Sequence, residues 1–116
     1  SHGSTYKGKK VGTFGEMACF SMASTKMLAS GESGVLITDD RTLFEKALLA
    51  SDLGGRRLSN ELTIAKYRKY NETGLGHNHR IHPHAAVLAN EELSNLDKYI
   101  ELRQEKLNYF LIQTHF

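Results

Sequence analysis

An incomplete α/β layer is the fold that this sequence predicts. Two short apolar runs, 17–22 (MACFSM) and 34–38 (GVLIT), have the length and composition of buried strands. Two stretches of helical apolar spacing follow them, one after Asp40 and one after Pro83. Strands buried on both faces need more sheet beside them, and no further strand is legible. Neighbours are therefore expected on both sides, and the 116 residues read as part of something longer, within one domain at most.

The elements come in order. Residues 1–15 are rich in Gly, Lys and Thr and read as turns, with Gly8, Gly12 and Gly15 supplying backbone freedom. The first strand candidate, 17–22, is nearly continuous in apolar residues, and Cys19 on it reads as a small buried hydrophobe. Residues 24–33 form a loop holding Lys26, and the β-branched run 34–38 is the second strand. Asp39 and Asp40 cap a helix in which Leu43, Phe44, Ala47, Leu48 and Leu49 recur at helical spacing, with Gly54-Gly55 stopping it after Leu53.

From Arg56 to Gly76 the chain is polar, basic and aromatic without a clean period. Such a long loop is expected to be functional or to order against a partner. Pro83 suits a first helical turn. Ala85, Ala86, Leu88, Ala89, Leu93, Leu96, Ile100, Leu107, Phe110 and Leu111 then trace an apolar stripe, with a break near Ser94-Asn95.

Composition narrows the function. Fifteen Lys and Arg against thirteen Asp and Glu leave a net charge of +2, which points to neither nucleic acid nor membrane. No apolar run approaches the roughly 20 residues of a membrane span. One Cys allows no internal disulfide framework and no Cys-rich zinc site, so a reducing, cytoplasmic setting is the default. His77, His79, His82 and His84 alternate, but Pro83 lies among them with no Cys or carboxylate at ligand spacing, and they read as surface or structural histidines. The Lys7, Lys9, Lys10 run reads as a solvated turn, Arg56 and Arg57 as cationic surface near a helix end.

The segment 20–26 (FSMASTK) ends a strand in a loop of small residues with hydroxyls at Ser21, Ser24 and Thr25 and an amine at Lys26. Hydroxyls and exposed N–H groups suit a phosphate. A lysine held in a partly buried pocket becomes nucleophilic enough to form a Schiff base. Taken alone, this signal is weak and reads as an ordinary surface lysine on a connecting loop.

Its context is more specific. The string HGSTYKGKKVGTFGEMACFSMASTKMLASGESGVLITDD resembles the DegT/DnrJ/EryC1/StrS sugar aminotransferases, which are fold type I and depend on pyridoxal phosphate (PLP). The order matches: a His-Gly and Tyr-x-Gly turn, Gly-x-x-Gly, Phe-Ser at a strand end, Lys five residues later, a Gly-Glu turn, and an apolar strand ending Thr-Asp-Asp. A second match, 74–81 (GLGHNHRI) with Ala85-Ala86 and Leu96-Asp97 beyond it, resembles the family's Gly-x-Asn-x-Arg-Met segment and the helix that follows.

The resemblance implies a part of the large PLP-binding domain, three-layer α/β/α, spanning 1–116 and lacking the small domain. It implies that Lys26 bonds PLP, that Ser21 binds its phosphate, and that Asn78 reaches the phosphate of the partner subunit in a homodimer. Arg80 matches a recurring arginine near that interface, suited to a donor carboxylate or substrate phosphate. The implied reaction moves an amino group from glutamate or glutamine to a keto-sugar, nucleotide-linked, or a related keto-cyclitol, in amino-sugar biosynthesis. The aspartate that pairs with the PLP ring nitrogen would lie upstream of Ser1. Without it and the small domain, the 116 residues alone are expected to be inactive and marginally stable. Ser33 stands for a usual glycine and Met22 for a usual phenylalanine. A non-catalytic regulatory or dimerising relative is the alternative, which Lys26 disfavours; dehydration on the same scaffold typically has histidine in that place.

Overall fold

The computed structural model describes residues 2–52 and 62–114. The order is β1 (Thr5–Tyr6), β2 (Lys9–Lys10), β3 (Ala18–Ser21), β4 (Gly34–Ile37), α1 (Arg41–Ser51), α2 (Ala65–Arg68), α3 (Pro83–Ser94) and α4 (Leu96–Thr114). Strands and helices mix as expected of an α/β chain. Two compact units divide it: one holds 1–11, 20–35 and 83–116, the other 12–19 and 36–82.

In the first unit, β1 and β2 pair antiparallel with Thr5 opposite Lys10 and Tyr6 opposite Lys9. The two turn residues, Lys7 at φ 48° and Gly8 at φ 76°, both take positive φ, as a two-residue hairpin turn with the strands' own twist requires. The lysine-rich turn is thus a short hairpin with both strands exposed. Helix α3 begins at Pro83, whose missing N–H costs nothing there. The break falls at Asn95, whose N–H turns back to the Glu92 carbonyl (3.2 Å) while its side-chain amide bonds the Glu91 carbonyl (2.9 Å). Helix α4 lies on the amino-terminal turn: a side chain at Gly3 would collide with the end of Ile100. Neither α3 nor α4 buries a residue, so the apolar stripe is on the surface of the chain.

Strands β3 and β4 form a two-stranded sheet. The Met22 N–H donates to Ser33 O (2.9 Å) at one end and Thr38 Oγ1 to Glu16 O (2.7 Å) at the other, so the strands run antiparallel. The expectation that they are buried is corrected. Every residue of β4 is exposed, Leu36 to 43%, and Cys19 on β3 is exposed as well. Among the described residues no third strand joins them, and of the two apolar runs only Met22 is buried, with Ala18 and Phe20 half-buried.

The second unit is built on α1. Asp40 caps it, its Oδ1 accepting from the Leu43 N–H at 2.9 Å, a bond worth about 1 kcal/mol. The helix ends at Ser51 with Asp52 extended, two residues before the expected stop; the Gly54-Gly55 pair and Arg56-Arg57 lie outside the described residues. Its last carbonyls have other partners: Ala50 O accepts from the His77 N–H (2.8 Å) and Ser51 O from the His79 N–H (2.7 Å), which satisfies groups that a helix end leaves open.

The basic segment also needs correction. Its described part contains α2 and supplies the core of this unit, where Leu62 and Tyr67 are buried against Leu48, Leu49 and Ile64. That part packs against α1 of its own chain.

Glu45, on α1, is fully buried, and sequence reasoning passed it over. Its carboxylate accepts from Thr63 N (2.9 Å), Thr63 Oγ1 (2.7 Å), Ile64 N (3.0 Å) and Arg41 Nε (2.8 Å). Burial pushes its pKa up, but the bonds from Thr63, Ile64 and Arg41 outweigh it and bring the value down to about 2. A carboxylate depressed in the folded state stabilises above its unfolded pKa, near 4.5, and loses that contribution as pH falls toward 2. The melting temperature should therefore drop between pH 4.5 and 2, and by less in Glu45→Gln, which is already destabilised at pH 7. Thermal unfolding of both forms across that range checks this; parallel acid curves would remove Glu45 as the cause.

Candidate functional site

Ser21 and Lys26 sit on one loop of the first unit, and the loop is fastened at its base. Met22 gives its N–H to Ser33 O and accepts the Ser30 N–H at 2.8 Å, so the turn closes on both sides of one residue. Met22, Leu28 and Ser30 are buried and hold it down. Between them the Lys26 N–H bonds Ala23 O at 2.9 Å, a local turn that the small residues Ala23, Ser24 and Thr25 permit. Lys26 is exposed. Ser21 is also exposed, and its Oγ accepts only a long bond, 3.4 Å, from the Ala23 N–H. An exposed amine and a lightly held hydroxyl on one anchored loop fit a ligand that carries an electrophilic carbonyl carbon and a phosphate, which is the chemistry of PLP.

His2 stands beside this loop. Its ring lies 5.6 Å from the Phe20 ring, tilted by 31°, and it is hydrogen-bonded to the Ser21 backbone. Burial chiefly, with a smaller contribution from the positive charge of Lys26, holds its pKa below the usual histidine range, against the opposing pull of the Ser21 bond. The sequence shows His2 only as half of a His-Gly pair; its packing on Phe20 is a tertiary fact that no spacing announces.

Asn78 and Arg80 belong to the second unit. Arg80 Nη2 donates to Asn78 Oδ1 at 2.9 Å. The backbone alternates: the rings of His77 and His79 stack 5.4 Å apart, while Asn78 and Arg80 bond each other. Asn78 takes φ 56°, a left-handed conformation that asparagine tolerates better than most residues. The segment is held by the bonds from His77 and His79 to the end of α1 and by Gly76, at which a side chain would meet Leu49 O and Ala50 O at 2.6 and 2.8 Å. Both Asn78 and Arg80 are exposed, so each can reach a ligand. The structure thus groups the four expected site residues as two pairs, Ser21 with Lys26 and Asn78 with Arg80, one pair in each unit.

All four clustered histidines are exposed. Among the described residues no three His, Cys, Asp or Glu side chains are placed to share a metal ion. Nor is any helix there long and apolar enough to cross a membrane.

The sequence model of the DegT/DnrJ/EryC1/StrS aminotransferase family matches residues 1–114. A GDP-perosamine synthase of Escherichia coli O157:H7 is 31% identical over 97% of this chain and 30% of its own length. An L-glutamine:2-deoxy-scyllo-inosose aminotransferase of Streptomyces kanamyceticus is 36% identical over 90% of the chain and 25% of its own length. A UDP-4-amino-4,6-dideoxy-N-acetyl-beta-L-altrosamine transaminase of Campylobacter jejuni is 30% identical over 93% and 27%. The chain thus spans no more than 30% of the length of these relatives. No solved structure matches it significantly.

Proposed function

The chain belongs to the DegT/DnrJ/EryC1/StrS aminotransferase family, and from that premise we propose that the whole protein is a PLP-dependent sugar aminotransferase of the cytoplasm. It moves an amino group from glutamine or glutamate to a keto-sugar, nucleotide-linked, or to a related keto-cyclitol, in amino-sugar biosynthesis. The relatives support this reading by name: two carry GDP or UDP sugars in their names, and one names L-glutamine as well as an inosose. The observation that carries it in this chain is that one anchored loop bears both an exposed Lys26 amine and an exposed Ser21 hydroxyl. Residues 1–116 are then part of the large domain of a three-layer fold type I enzyme.

PLP, when bound, supplies the electron sink that lets a proton leave a carbon next to nitrogen. The chain's own groups do the rest. The Ser21 Oγ–H donates to the phosphate and fixes where the reactive carbon lies. Lys26 Nζ would hold the cofactor through its carbonyl carbon and, as the free amine, would take a proton from the donor carbon and return one on the acceptor side. Asn78 adds a donor to the phosphate of the partner subunit in a homodimer, and Arg80, bonded to Asn78, offers its remaining N–H groups to a carboxylate or phosphate. Amino transfer from glutamine or glutamate to nucleotide-linked keto-sugars, followed by mass, tests the reaction; a protein with PLP trapped at Lys26 by borohydride and no transfer to any keto-sugar or keto-cyclitol would exclude it.

The role of Asn78 has its own test. Lys26→Ala and Asn78→Ala subunits should each be inactive or nearly so. Mixed one to one, they should regain about a quarter of wild-type activity, because half the dimers are mixed and each has one complete site. No recovery on mixing would place Asn78 in its own subunit's site or in none.

A further inference from the structure

We propose that His2 is a positioning residue for the phosphate-binding hydroxyl of Ser21: its ring, packed at a tilt against Phe20 and bonded to the Ser21 backbone, fixes the end of β3 from which that hydroxyl emerges. The proposal rests on reading Ser21 as the phosphate-binding residue. The geometry comes first. Phe20 and Ser21 are adjacent on β3, with side chains on opposite faces of the strand. A ring held 5.6 Å from Phe20 restrains one face, and a bond to the Ser21 main chain restrains the peptide that carries the other. Among the described residues the hydroxyl of Ser21 has only a bond from the Ala23 N–H, 3.4 Å long, which is too weak to aim it.

The protonation state agrees with this task. Burial first, then nearby positive charge that includes Lys26, disfavours the imidazolium, while the Ser21 bond favours it; such a bond favours the protonated ring because the ring donates. Nε2 is buried with no partner, so the donor is Nδ1 and the acceptor the Ser21 carbonyl. A neutral ring does this without adding a cation beside Lys26. His2 also lines a cleft of about 360 Å³ with Thr5, Met27, Ile100 and Arg103. It touches no reacting atom and acts through Ser21.

The test compares PLP with pyridoxal, which lacks the phosphate, as ligands of the whole protein, by equilibrium dialysis and by borohydride trapping mapped to Lys26. Wild type should prefer PLP strongly. Ser21→Ala should lose about tenfold of that preference, the loss expected for one charge-assisted hydrogen bond. His2→Phe keeps an aromatic ring on Phe20 but not the N–H donor, and should lose a comparable part. If His2→Phe does not fold, His2→Asn and His2→Leu decide, because Asn retains a donor near the Nδ1 position and Leu does not; the Asn form should keep more of the preference. Equal weakening of PLP and pyridoxal would mean that His2 only supports the fold, and would overturn the proposal. So would a wild-type preference in His2→Phe, or equal preference in the Asn and Leu forms, with the Ser21→Ala effect intact. An unchanged preference in Ser21→Ala, or no trapping at Lys26 in wild type, would overturn the reading of the site and the proposal with it.

Discussion

Lys26→Ala in the whole protein should abolish amino transfer, lowering turnover by at least about a thousandfold, while leaving the fold in place. The loss is large because one amine serves two purposes, holding the cofactor carbon and carrying a proton, and alanine can do neither. The fold should survive because Lys26 is exposed and its structural bond is through its backbone N–H to Ala23 O, which alanine keeps. The loop is held by Met22, Leu28 and Ser30, none of which the substitution touches. Two measurements separate the outcomes. Borohydride trapping with PLP should lose the Lys26 peptide, and the melting temperature should stay within a degree or two of wild type. Retained transfer would sink the assignment of Lys26. A wild-type protein that neither traps PLP nor transfers, but still dimerises, would leave the non-catalytic reading of this scaffold standing.

Local signals in the sequence translated well where one or two residues decide the outcome. Asp40 caps α1, Pro83 opens α3, and the helix breaks beside Ser94-Asn95, because caps, rings and turns act through bonds within a few residues. The loop that carries Lys26 was legible for the same reason: its small residues lie between two strands that pair. What failed depended on neighbours far along the chain. An apolar pattern reports what a strand is suited to, and burial needs a covering layer; β4 has the composition of an interior strand and an exposed surface. The segment around Tyr67 lacks a clean period because only Leu62 and Tyr67 in its described part are buried, too few to write a helical stripe. Glu45 was invisible because its place on an amphipathic helix looks like any solvated position, and its partners Thr63 and Ile64 come 18 and 19 residues later. The site divides the same way. Lys26, Ser21, Asn78 and Arg80 came from the order of motifs, whereas the ring of His2 against Phe20 and the clamp at Gly76 required the structure.

Gly76→Ala should be the most damaging single methyl that can be added to the second unit. The three atoms nearest the added carbon would all be backbone oxygens: Asp52 O most closely, then Leu49 O at 2.6 Å and Ala50 O at 2.8 Å. A flexible side chain could swing away from such a clash, but these carbonyls belong to the end of α1 and its cap, and cannot move alone. Relief must come from lifting the segment off the helix, which breaks His77 N–H to Ala50 O and His79 N–H to Ser51 O. Overpacking together with two helix-end carbonyls losing their partners costs about 3 kcal/mol or more. Gly8→Ala is the matched control: Gly8 sits at φ 76° with nothing within 4 Å of the added carbon, so it bears only backbone strain, about 1 kcal/mol. Denaturant unfolding should show Gly76→Ala well below Gly8→Ala in stability. Hydrogen exchange should locate the damage, with the amides of His77 and His79 losing protection in the first variant and keeping it in the second. The consequence for function follows from position. Asn78 and Arg80 are presented by the two residues that Gly76 lets dock, so a detached segment should also lose the trans contribution of Asn78, and subunits carrying both Lys26→Ala and Gly76→Ala, mixed with Asn78→Ala subunits, should restore less activity than Lys26→Ala subunits do. Equal stability of the two alanine variants, with His77 and His79 still protected, would show that the clamp yields without cost and would refute the account of how this segment is held.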